Sequence, residues 1–154
     1  MLYKANYKGS VIAITLLLIL FFSAYYFKDI LLPKVNVTLT ADTRCNLQQG
    51  TCSLLIDTGK TVSFSITPKS IPVLKDLSLT VLTQGINANA VSISFVGVNM
   101  DMGLNHVQLT RVDKAHWQGI GQVPICSHGK MLWEAQVILH TPQGVIKAPF
   151  QFSS

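Results

Sequence analysis

From Ser10 to Phe27 the chain runs for eighteen residues, SVIAITLLLILFFSAYYF, without one charged side chain. As a helix rising about 1.5 Å per residue, such a run comes close to the ~30 Å hydrocarbon core of a bilayer. Lys4, Lys8 and the amino terminus precede it, whereas Lys28 is followed at once by Asp29. The positive-inside bias then leaves 1–9 in the cytoplasm, makes 10–27 a single-pass transmembrane anchor and 28–34 a linker, and sends 35–154 across the membrane. A cleaved signal peptide is the competing reading of the same run. Cleavage after Ala24 puts Phe22 where a small residue is needed, and Tyr25, Tyr26 and Phe27 resemble the aromatic belt of a retained helix. Under both readings the rest of the chain works outside the cytoplasm. An inner-membrane anchor with a periplasmic domain is the expectation.

About 115 to 120 residues remain beyond the anchor, enough for one domain with its own core. The net charge of +5 is concentrated beside the anchor, since from Val35 onward eight Lys or Arg face six Asp or Glu. Lys4, Lys8, Lys28 and Lys34 therefore answer to topology and lipid headgroups. No basic run and no interleaved aromatics follow, so a nucleic-acid partner has no support. Outside the cytoplasm a disulfide persists, and Cys45 and Cys52 flank Gln48-Gln49-Gly50, a turn sequence. Pairing them leaves Cys126 as an odd thiol.

Pro33 interrupts the chain before the domain, and period-two alternation begins after it. Val35, Val37 and Leu39 face one way; Leu77, Leu79 and Val81 repeat the pattern, as do Val91, Ile93 and Phe95. Trp133, Ala135, Val137 and Leu139 continue it, and Phe150 and Phe152 close it. Such alternation marks half-buried strands. Asp57-Thr58-Gly59-Lys60 and Thr141-Pro142-Gln143-Gly144 read as the turns of two hairpins, and Pro68, Ile71 and Pro72 as a rigid extended passage. The predicted fold is all-β: a single antiparallel β-sandwich, immunoglobulin-like or cupredoxin-like, behind one N-terminal transmembrane helix.

Two short stretches gather soft ligands. Met100, Met102 and His106 lie within Gly97–His106, and Cys126, His128 and Met131 within Pro124–Met131. Thioether, thiolate and imidazole together suit Cu(I), and thiolate with imidazole also suits Zn(II). Core packing explains the same residues differently. Methionine fills irregular gaps, and an unpaired cysteine behaves as a small apolar residue. Catalysis finds no foothold: there are no paired carboxylates, nucleophile elbow or P-loop, and Lys130 follows Ser127-His128-Gly129 where a transpeptidase-like motif needs cysteine.

The order Asn99-Met100-Asp101-Met102-Gly103, a following strand, Trp117–Gly119, a Trp-bearing strand and a final Phe150-Gln151-Phe152 resembles the FixH-like and YtkA-like membrane-anchored domains. That resemblance, over Val91–Phe152, implies a periplasmic β-sandwich engaged in copper handling or assembly of haem-copper oxidases. A non-enzymatic factor binding Cu(I) through Met100, Met102, Cys126 and Met131, with His106 and His128 as secondary ligands, is the expected function. An oxidase subunit or a copper chaperone is the expected partner. The alternative is a metal-free interaction or scaffold subunit of a membrane complex.

Overall fold

The computed structural model of the protein describes residues 7–31, 35–101, 103, 105–125 and 131–153. The chain forms two compact units, one helical and one β-structured from Val35 onward. In the first, α1 runs from Tyr7 to Leu31. Every large apolar side chain described on it, from Val11 to Tyr26, is more than half exposed, on all sides of the helix. Among the described residues no helix is long and apolar enough to cross a membrane. The described side chains of α1 run unbroken only over 11–26, a shorter stretch than the uncharged run of the sequence.

The β unit holds ten strands: β1 (Val35–Thr38), β2 (Cys52–Asp57), β3 (Lys60–Thr67), β4 (Leu77–Gln84), β5 (Ala90–Gly97), β6 (Asn105–Gln108), β7 (Thr110–Arg111), β8 (His116–Gly121), β9 (Leu132–Thr141) and β10 (Gly144–Ser153). They make two five-stranded sheets, in the orders β1-β10-β9-β5-β6 and β2-β3-β4-β8-β7. The alternating residues do what their period requires. Leu77, Leu79 and Val81 of β4, Val91, Ile93 and Phe95 of β5, and Trp133, Ala135, Val137 and Leu139 of β9 are all buried in one core. Phe64 of β3 meets Phe150 of β10 across it, ring centroids 5.5 Å apart. Both sheets therefore turn an inner face to the same core. Gly121 of β8 lets the layers close, because a Cβ there would press on Leu79 and Val107 at 2.9 Å.

Both expected hairpin turns form, β2 to β3 and β9 to β10. Gly85, after β4, adopts φ 68° and abuts the carbonyl of Gly59 in the first of these turns. Only glycine combines that backbone with that closeness.

Two expectations need correction. The sheets are not wholly antiparallel: β1 pairs parallel to β10, Val35 beside Val145 and Thr38 beside Lys147. Both strands start from the end of the unit that carries the Thr141–Gly144 turn, and an edge strand, held on one side only, accepts either direction. The passage around Pro68 and Pro72 is not extended. Ile71 and Leu74 take left-handed φ values of 43° and 55°, because the chain has to bend for Ile71 to reach the core. For side chains with a Cβ this conformation costs about 1–2 kcal/mol, and burial of Ile71 offsets it.

Candidate functional site

The strand ends place the described parts of the singled-out stretches at one end of the β unit. β5 ends at Gly97 beside Trp133, β6 begins at Asn105, β8 ends at Gly121 beside Leu77, and β2 begins at Cys52. Hydrogen bonds tie the loops together from both sheets. The Asn105 amide donates to the Gln122 carbonyl at 2.6 Å, the Gln122 amide donates to the Asp76 carboxylate at 2.8 Å, and the Leu74 N–H donates to the Val123 carbonyl at 2.9 Å. The Val98 N–H donates to the carbonyl of Leu132 at 2.9 Å. Val35, where the chain enters the unit, lies at the opposite end beside Val145.

These loops present apolar side chains to solvent. Leu74 is 56% exposed, Val98 46%, Met100 42% and Ile125 60%. None packs on the core, and the hydrogen bonds just described tie together the three loops that carry them. The left-handed backbone at Leu74 belongs to this exposed end, whereas Ile71, with the same backbone, is buried in the core. Strain of this kind persists only where surrounding structure holds it, and it gathers at working surfaces.

A second set of contacts closes the core beneath this end. Cys45 and Cys52 form the expected disulfide, with Cα atoms 5.7 Å apart. Between them Leu47 is fully buried. The Gln48 amide donates to the Ser153 carbonyl and the Lys69 ammonium to the Gly50 carbonyl, each at 3.1 Å. The loop is thus a plug fixed at three points. Just before it, the guanidinium of Arg44 donates to Asp42 and holds that carboxyl below its ordinary pKa.

The expected metal ligands are distributed as follows. Met102, Cys126 and His128 lie outside the described residues. Met100 stands open on the ridge, whereas Met131 is 3% exposed and packs in the core. His106 sits on the outer face of its sheet, its Nδ1 3.3 Å from the Ser94 hydroxyl. Met131 and His106 therefore point to opposite sides of one sheet and cannot share an ion. Among the described residues no three His, Cys, Asp or Glu side chains come together to hold a metal.

The alternation rule marked the buried strands but missed Leu74 and Ile125 as surface groups. Only the Leu74-Lys75 step, an apolar residue beside a charge in a proline-flanked loop, carried a local signal. The Asn105–Gln122–Asp76 chain of bonds carried none, because its members come from three separate segments.

No family model matches the chain. No curated protein matches it either. The resemblance to FixH-like and YtkA-like domains accordingly rests on the motif residues alone. The chain is similar to the crystal structure of a DUF4785 family protein from Legionella pneumophila, with 13% identity and a TM-score of 0.41 over 61% of this chain. It spans 28% of that protein's length.

Proposed function

We propose that this protein is a non-catalytic, membrane-anchored docking subunit whose β unit engages a partner through the ridge of Leu74, Val98, Met100 and Ile125. The observation that carries the reading is the exposure of these four side chains on loops joined from both sheets. Exposed apolar residues gathered in one place mark interaction surfaces, whereas scattered ones do not. The anchor belongs to the same proposal. Ser10–Phe27 is uncharged throughout, and a helix apolar on every side requires an apolar surrounding. With Lys4 and Lys8 before it, the β unit faces the periplasm.

The test uses the full-length protein in its native membrane. Leu74→Asp together with Ile125→Asp is expected to abolish co-purification with the membrane-complex component that the wild type retains, with the melting temperature unchanged. Retention at the wild-type level by a folded double variant would refute docking at this ridge.

A second reading, Cu(I) capture for oxidase assembly, draws on the open thioether of Met100 and on the motif resemblance. Titration of Cu(I) against a competing chelator decides it. Uptake that survives Met100→Ala with Cys126→Ser, or no uptake at all, removes it.

A further inference from the structure

We propose that the outer face of the first sheet binds a short extended peptide, its terminal ammonium held by Glu134 and its terminal carboxylate by Lys147. The inference does not rest on the ridge at the loop end.

The site arises because β1 is short. The Leu39 N–H bonds the Lys147 carbonyl at 2.9 Å, and beyond it the chain leaves the sheet to bring Cys45 to Cys52, the first residue of β2 in the other sheet. Residues 40–43 stand off from β10 and leave a groove of about 530 Å³. Its floor is the polar row that β9 and β10 turn outward. Glu134 pairs with Gln151 and Gln136 with Pro149, while Ala135 and Phe150 between them face the core.

Two opposite charges line this groove, Glu134 and Lys147, and neither has an ion-pair partner among the described residues. The carboxylate of Glu134 is held in place. The Gln136 amide donates to one of its oxygens at 2.8 Å and the Gln151 amide to the other at 3.4 Å. Neutral donors leave the negative charge intact, and each oxygen keeps a lone pair for an incoming ammonium. Lys147 lies on β10 four residues before Gln151, the partner of Glu134. At ~3.3 Å per residue, the two positions are about 13 Å apart along the strands.

That spacing selects the occupant. A fully extended chain advances ~3.3–3.6 Å per residue, so a four-residue peptide sets its two charged ends about 13–14 Å apart. Each end then makes a charge-assisted hydrogen bond. Thr40 and Thr43 on one wall and Gln136 on the floor supply neutral donors and acceptors for the peptide groups between. A glycan is the poorer match, because no aromatic ring stands among the described lining residues for a sugar face to stack on.

The experiment titrates the full-length chain in detergent micelles with tetra-alanine by calorimetry. Saturable binding is expected. Acetylating the peptide's amino end is expected to weaken binding to the wild type by about tenfold or more, the ordinary worth of a hydrogen bond to a charged group. Glu134→Gln is expected to bind the free and acetylated peptides alike. Amidating the carboxyl end should act in the same way on the wild type and not on Lys147→Met. A wild type that takes up no tetra-alanine at millimolar concentration, binds free and capped peptides equally, or takes up maltotetraose instead would overturn the proposal. So would a folded Glu134→Gln that still prefers the free peptide. The capped peptides are read on the wild type, so the test stays decisive if a variant fails to fold.

Discussion

Met100 and Met131 carry the same side chain and separate roles. Burial should show as stability: Met131→Ala is expected to cost about 2–4 kcal/mol in a denaturant titration, and Met100→Ala less than about 0.5. Equal costs would contradict the placement of Met131 in the core. Leu74 offers a sharper case, since it is exposed and its φ of 55° is the conformation glycine tolerates. Leu74→Gly is therefore expected to leave stability unchanged or raise it by up to about 1 kcal/mol, while weakening any contact made by the ridge. A loss above 1 kcal/mol would mean that Leu74 packs against something. Sequence reasoning could name both methionines as ligand candidates, yet the alternation of Trp133, Ala135, Val137 and Leu139, carried back by two residues, already turns Met131 inward. Met100 lies beyond the end of β5 and has no such pattern to join.

At the scale of elements, the plug between Cys45 and Cys52 and the Gly59–Gly85 contact are the joints most open to test. Replacing both cysteines by serine is expected to cost about 2–3 kcal/mol, the chain-entropy value for so short a loop. Gly85→Ala meets both a left-handed φ and the Gly59 carbonyl, so a loss of about 2 kcal/mol or more is expected in thermal unfolding. A smaller loss would show that the β2–β3 turn yields to admit a methyl group. Both joints lay partly within reach of the sequence. The spacing of Cys45 and Cys52 around a turn announced the disulfide, and Asp57–Lys60 announced the hairpin. That Gly85 abuts that hairpin was not legible, since the two glycines belong to strands paired only in the folded sheet.

Over the whole molecule, burial alternation was enough to assign the core, because each strand of a layered fold records its own inward face. Strand direction leaves no such record. The parallel seat of β1 beside β10 joins the first and last strands in the sequence of the β unit, and no local pattern in either strand reports it. The candidate site shows the same division. Its loops stood out by composition, whereas the exposed ridge arises only where three of them are tied side by side.

The pairing of Val35 with Val145 also sets a clock. The two positions are separated by 145 − 35 = 110 residues of synthesis. At ribosomal speeds of about 5–20 residues per second, β1 is made roughly 6–22 s before its partner exists. During that interval the first strand of the unit has nothing to join, and the outermost position of its sheet stays vacant. Nearly the entire chain has to emerge before the first sheet can be completed. A ribosome that stalls anywhere before β10 therefore leaves β1 bare, a form that quality-control proteases and holding chaperones are equipped to recognise.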